Sequence, residues 1–253
     1  GLPVASAAAY QQAVFFEYIC EGKSDSNAMF CCGSNVVIRR EALLSVETLV
    51  DGRKHYFDET SVTEDFATTV RMHAAGWRTS YVNRRYVVGM GPETLPAYFT
   101  QQMRWAMGTL GIGLRVLGQL FRNPRMLTAG QWWEYLLSGS YYFVGFATFI
   151  FMMAPVMFVW FDVRPMRANE NLYLIFFIPY IFFTMNLFFF GMALRRYSLK
   201  GVWLASALSF ATFRTYIMAG IVALFGLKRS FGVTPKGVGG AIPLRMLWPE
   251  LVM

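Results

Sequence analysis

Charge is what this sequence has least of. Only 15% of its 253 residues are Asp, Glu, Lys or Arg, while 55% are hydrophobic and 17% aromatic; soluble chains carry about 25% charged residues. Such a composition excludes a disordered or solvating chain and is foreign to an ordinary water-soluble domain. Cysteine is scarce as well. Three thiols, Cys20 and the adjacent Cys31 and Cys32, are an odd number without C-x-x-C spacing, so neither a disulfide framework nor a thiolate zinc site is indicated. A reducing, cytosolic setting for the first part fits this usage. No basic stretch followed by an apolar run opens the chain, and no internal repeat is found. Because the sequence starts at Gly1 and stops within the apolar Leu251-Val252-Met253, it is expected to be a fragment of a larger protein.

The charge that is present is unevenly placed. Residues 1–100 hold 11 acidic and 9 basic groups and residues 101–253 hold 4 and 14, so the net +8 is −2 plus +10. A normally polar first part followed by an apolar, basic second part reads as a water-soluble segment joined to a membrane segment with cationic edges. Nucleic acid is not expected as a partner.

Local patterns give a coarse architecture. Residues 3–20 read as a helix, residues 29–38 as β-rich around a Gly33-Ser34 bend, and residues 39–44 as a following helix. Thr63 is placed to N-cap a helix with Glu64 and Asp65 in its first turn, ending at Gly76. Residues 77–82 and 86–88 look like short strands. Residues 1–93 are therefore expected to form the trailing part of an α/β domain. A long helix follows over 95–120, within an interfacial segment 94–130, and it carries Gln101, Arg104 and Trp105 on one face.

Two uncharged stretches, about 135–161 and 171–194 within segment 131–200, each exceed the roughly 20 apolar residues that cross a hydrocarbon core. Arg122 and Arg125 precede the first, and Arg195, Arg196 and Lys200 follow the second. The positive-inside rule then puts residues 1–130 and 195 onward on the cytoplasmic side of a plasma (inner) membrane protein with several spans. Residues 201–227 are apolar enough for a third span, but Arg214 interrupts them and spanning would export Lys228, Arg229 and Lys236. A central Arg costs ~2.5–3.5 kcal/mol on insertion scales, so an interfacial or re-entrant helix is expected. A Gly- and Lys-rich loop follows over 228–242, and a further span begins at 243–253.

Three polar motifs remain. Thr63-Glu64-Asp65 puts a carboxylate at a helix N-terminus, which taken alone is an ordinary helix-end carboxylate. Gln101-x-x-Arg104-Trp105 sets a guanidinium beside an indole, which alone is ordinary interfacial anchoring. Phe231-x-Val233-Thr234-x-Lys236-Gly237 offers an ammonium and a hydroxyl in a glycine-flanked loop, suited to a diphosphate.

Taken together and in this order, these motifs resemble those of the processive inverting glycosyltransferases of family 2, most closely the bacterial cellulose synthases. Phe30-Cys31-Cys32-Gly33-Ser34 resembles their F-x-C-G-S segment, and Leu247-Trp248-Pro249 the start of a later membrane helix. The resemblance covers nearly the whole chain and implies a GT-A-like catalytic domain, of which residues 1–93 are the trailing half.

By this resemblance, Asp65 is the general base, with Thr63 and Glu64 supporting it. Trp105, Cys32 and Gly33 line the acceptor site, while Gln101, Arg104, Thr234, Lys236 and Phe231 face the UDP-sugar donor, the last three from a gating loop. The implied reaction moves glucose from UDP-glucose to a growing β-glucan and passes the polymer across the bilayer, with accessory synthase subunits as possible partners. Mg2+ is expected in the complete enzyme, with its ligands upstream of residue 1, so this segment alone is expected to be inactive. Pro235 and the doubled Cys31-Cys32 depart from the cellulose synthase form, which leaves a β-1,3- or mixed-linkage glucan open. An N-acetylglucosamine polymer is a further alternative, and a non-catalytic membrane scaffold or transporter part is the reading outside enzymes.

Overall fold

The first described helix has Pro3 in its first turn and alanines at positions 5, 7, 8 and 9, a pattern that favours helix. A computed structural model describes residues 3–59, 61–84, 86–87, 89–163 and 169–227. Helix α1 (Pro3–Val14) runs through a π-helical turn, Phe15–Cys20, into α2 (Glu21–Asp25). The amide of Gln11 on α1 fastens two later helices: it accepts from the Tyr98 hydroxyl at 2.7 Å and donates to the Ser209 hydroxyl at 2.8 Å.

Helix α3 (Arg40–Ser45) leads into a hairpin of β1 (Thr48–Val50) and β2 (Arg53–His55), paired antiparallel through Asp51 and Gly52. Positive φ at both turn residues is the geometry whose twist matches paired strands. This hairpin is the sheet formed among the described residues, and it corrects the expected strand pattern. Residues 29–38 and 77–82 form no strand. Side chains instead satisfy their backbone donors: the N–H of Cys31 bonds to Thr69, that of Thr79 to Asn27 and that of Tyr81 to Ser24. With those donors engaged, no strand ladder forms there. Tyr86 and Val87 are likewise irregular, and residue 88 lies outside the described residues.

Helix α4 (Glu64–Ala74) closes with the N–H groups of Gly76 and Trp77 bonded back to His73 and Met72. Helix α5 (Leu95–Arg122) is 28 residues long, or about 42 Å at 1.5 Å per residue, and Thr94 caps its first turn. Helix α6 (Ala129–Ser140) starts with a capping box between Thr128 and Gln131 and passes through a short 3-10 turn into α7 (Val144–Phe161). Phe66, Ile112, Val116, Trp132 and Tyr135 form the core among α4, α5 and α6. At the crossing of α5 and α6, Gly113 and Gly139 touch backbone to backbone.

Beyond this core the chain stays apolar while losing burial. Residues 129–161 and α8 (Glu170–Leu194) each have a most apolar window of mean hydropathy 2.0, with 6% and 0% of that window buried. Each is apolar all round, uncovered here, and long and apolar enough to cross a membrane, where lipid or further protein would cover it. The first apolar stretch nonetheless begins inside the polar part, since Trp132 and Tyr135 are core residues. Arg195, just past α8, bonds both Glu17 and Glu21 at 2.8 Å and holds the end of that helix to the N-terminal segment.

Helices α9 (Leu199–Ala211) and α10 (Phe213–Leu224) are bent by 42° at Thr212. Helix α9 packs on α1, with Gly201 under the Tyr10 ring, and α10 packs on α5 through Tyr216 and Ala219. As one bent unit the pair is also apolar enough to cross a membrane. The loop expected over 228–242 and the span expected over 243–253 lie outside the described residues.

Candidate functional site

The first turn of α4 carries the Thr63-Glu64-Asp65 motif. Thr63 stands at the N-cap position, yet its side chain accepts no bond from the helix. This corrects the expected cap. Its hydroxyl and methyl groups lie over Gly108 of α5, where an added Cβ would come within 2.6 Å of each. Glu64 is exposed. Asp65 is half-buried, and its Oδ1 accepts the N–H of Phe66 at 2.8 Å.

Burial pushes the Asp65 carboxyl above its ordinary pKa, and the charge of Glu64 adds to this. The Phe66 N–H and the Arg104 guanidinium pull the other way. The sequence alone favours the ionised form through the helix N-terminus. In the fold, desolvation outweighs it, which makes the carboxylate a stronger proton acceptor.

Opposite Asp65 runs the segment with Cys32 and Gly33. Gly33 has φ of +83°, and a Cβ there would lie 3.3 Å from Asp65 Oδ2. Glycine therefore supplies both the backbone conformation and the close approach. The Cys32 thiol is raised well above its ordinary pKa by its contact with Cys20 and by burial, and burial raises Cys31 too. These thiols are protonated near neutrality, which does not suit them to act as nucleophiles.

Helix α5 supplies the third wall. Gln101, Arg104, Trp105 and Gly108 share one face by helical spacing. Gly108 seats Thr63 and Arg104 acts on Asp65, so this face meets the start of α4. Arg104 and Trp105 are half-buried. Gln101 Oε1 is buried and has no hydrogen-bond partner. A buried amide oxygen in this state costs free energy until a donor reaches it. The neighbouring Gln102, by contrast, accepts from the Tyr216 hydroxyl at 2.9 Å and ties α5 to α10.

A cleft of about 300 Å³ lies beside this site, between Ser61 and Val62, Gly108, Gly111 and Arg115 of α5, and Leu227 after α10. It abuts Thr63 through Gly108, but Asp65, Gln101, Arg104 and Trp105 do not line it. Phe231, Thr234 and Lys236 lie outside the described residues. Among the described residues no three His, Cys, Asp or Glu side chains gather to hold a metal ion.

Two polar arrangements near the site escaped the motif reading. Arg115 pairs with Asp58 at 3.1 Å and braces the loop that leads to Thr63. Thr69, fully buried on α4, joins that helix to Cys31. A hydroxyl four residues after Asp65, one turn further along the same helix, was the available signal.

The glycosyl transferase family group 2 matches residues 13–227. The chain is 28% identical over 229 residues to the cellulose synthase 1 catalytic subunit [UDP-forming] of Komagataeibacter xylinus, covering 88% of this chain and 28% of that protein. It is 27% identical to cellulose synthase 2 of Novacetimonas hansenii over 88% of this chain and 13% of that protein. With the cellulose synthase catalytic subunit [UDP-forming] of Pseudomonas fluorescens (strain SBW25) it shares 27% identity over 66% of its length, 21% of the relative's. The chain thus spans well under a third of these relatives. The match over most of its residues places it in one family: the chain belongs to the glycosyl transferase family group 2 and lies close to the bacterial cellulose synthases.

Proposed function

We propose that the chain is the trailing half of a GT-A-like catalytic domain, with part of the membrane channel, of a synthase that transfers glucose from UDP-glucose to a β-glucan and exports it. The observation that carries this reading is the setting of Asp65: a partly desolvated carboxylate between Gly33 and the Q-x-x-R-W face of α5. An acceptor hydroxyl attacks the anomeric carbon, forming the new C–O bond. The bond to the UDP phosphate breaks on the opposite face, the proton passes to Asp65, and the configuration inverts.

Arg104 pairs with the leaving diphosphate and Gln101 Oε1 takes a donor from the bound substrate, which ends its unpartnered state. Trp105 offers its indole face to a sugar ring, and Cys32 and Gly33 line the acceptor path. By the resemblance, Thr234, Lys236 and Phe231 face the donor from the sequence that follows Leu227. The described residues offer no cluster for a metal ion; the Mg2+ of the complete protein would be held by residues upstream of residue 1 and would supply charge neutralisation at the leaving diphosphate. Residues 1–130 and the bent pair α9–α10 lie on the cytoplasmic side and the two apolar helices cross the inner membrane.

The test uses membranes containing the complete protein, and measures labelled glucose moved from UDP-glucose into insoluble polymer. Asp65→Asn should lower incorporation at least ~10²-fold, the usual worth of a catalytic proton acceptor. Release of the label by a β-1,4-glucanase supports a cellulose-like product and release by a β-1,3-glucanase a curdlan-like one. Near-normal incorporation by Asp65→Asn would sink the base assignment.

A further inference from the structure

We propose that Thr69 is a positioning residue, whose single hydroxyl locks the acceptor segment against the helix that carries Asp65. The inference rests on the function proposed above. Thr69 Oγ1 donates to the Asp65 carbonyl at 2.7 Å and accepts the N–H of Cys31 at 3.0 Å. A hydroxyl has one proton to give, so the first bond fixes its direction and leaves its lone pairs toward Cys31. Thr69 is 0% exposed, and no water competes for either bond.

The consequence is register. Cys31 is one residue before Cys32 and two before Gly33, and Gly33 is the residue that meets Asp65 Oδ2. Residues 29–38 have no sheet to hold them. Three links tie this backbone to α4: the Phe30 ring packs on Phe66 at 4.4 Å between centroids, Thr79, itself bonded to His73, holds the Met29 carbonyl, and the Thr69 bond is the one nearest to Gly33. A displacement of about 1 Å between reacting groups costs up to 10² in rate. Thr69 touches no reacting atom; it sets the distance between the wall of the acceptor path and the carboxylate.

Loss of that lock should degrade transfer to the polymer more than donor turnover. A loosely seated acceptor hydroxyl admits water, whose attack on the same anomeric carbon releases UDP and free glucose. In membranes of the complete protein, Thr69→Val keeps the side-chain shape and removes both bonds. The expected result is a roughly tenfold slower polymer formation, in line with loss of one buried hydrogen-bond link. The KM for UDP-glucose should stay within about twofold and UDP release should exceed glucose incorporated. Thr69→Ser, which keeps the hydroxyl, should restore rate and coupling to within about twofold.

A merely structural role would lower polymer and free glucose together and leave their ratio unchanged. If Thr69→Val does not accumulate, Thr69→Ala is scored by the same ratio. Wild-type rate and coupling in the variant lacking the hydroxyl, or a Thr69→Ser enzyme as uncoupled as it, overturn the proposal. Asp65→Asn measured alongside separates the two readings: polymer formation that survives it overturns the base assignment, whereas dependence on Asp65 with indifference to Thr69 overturns this inference alone.

Discussion

The hydroxyl of Tyr135 lies 2.6 Å from Nδ1 of His73, in the core between α6 and α4. On the other side of the ring, Nε2 is 2.9 Å from Thr79 Oγ1, and Thr79 gives its own proton to the Met29 carbonyl at 2.6 Å. Thr79 can then only accept, so Nε2 carries the imidazole proton and Nδ1 accepts from Tyr135. The chain of bonds closes only around a neutral histidine. It joins α4 to the helix that continues into the first long apolar stretch, and it anchors the backbone two residues before Cys31.

Stability should therefore fall on mild acidification. Burial lowers the His73 pKa from 6.5 to about 4. The unfolded chain binds the proton first, so this contribution is complete above pH 6.5, declines as pH falls below it and is lost by pH 4. The difference of about 2.5 units corresponds to roughly 3 kcal/mol at most. Melting of the detergent-solubilised protein between pH 5 and 7 isolates the histidine, because ordinary carboxylates titrate lower. The wild type should lose Tm across that window, and His73→Gln should start lower and lose much less. Parallel curves would contradict the neutral-histidine assignment.

Two glycines of α5 should respond in opposite senses to alanine. A Cβ on Gly113 would lie 2.7 Å from the Gly139 backbone, which cannot yield as a side chain tip does. Gly113→Ala should destabilise by about 1–3 kcal/mol through overpacking at the crossing of α5 and α6. Gly118 has nothing within 4 Å of its Cβ position. There alanine should stabilise by roughly 0.5–1 kcal/mol, the helix-interior difference between the two residues. Tm values of both variants at one pH decide the matter, and equal shifts would show that the close crossing carries no weight.

How much of this was legible in the sequence follows from the range of the interactions. The helix expected over 95–120, observed as Leu95–Arg122, and the helix from Glu64 were readable because apolar spacing and helix-end residues act within a few positions. The uncovered helices were readable because apolar length alone defines them. Residues 29–38 and 77–82 misled because β-propensity reports a fit to a pleated surface, and here side chains such as Thr69, Asn27 and Ser24 took the backbone donors. Thr63 misled for a related reason: cap chemistry is local, while its seat on Gly108 is 45 positions away. The motifs named Asp65, Gln101 and Arg104, but the desolvation of the carboxylate and the unpartnered Gln101 oxygen exist only once α4 and α5 are packed.

The bent pair α9–α10 makes the membrane topology testable. By composition it qualifies as a third span, yet it turns by 42° at Thr212, and Arg214 is exposed just past the bend. Its two halves are held by polar-part helices, α9 by α1 and α10 by α5. Crossing the bilayer would strip α10 from the helix that bears Arg104 and Trp105 and would expose an arginine to hydrocarbon at ~2.5–3.5 kcal/mol. Leu227, just past α10, is exposed and lies beside the cleft next to Thr63. A Leu227→Cys variant, with Cys20, Cys31 and Cys32 replaced by serine, should resist a membrane-impermeant maleimide in intact cells and react once the inner membrane is permeabilised. Labelling in intact cells would place Leu227 outside, make α9–α10 a true span and put the residues that follow on the side opposite Asp65.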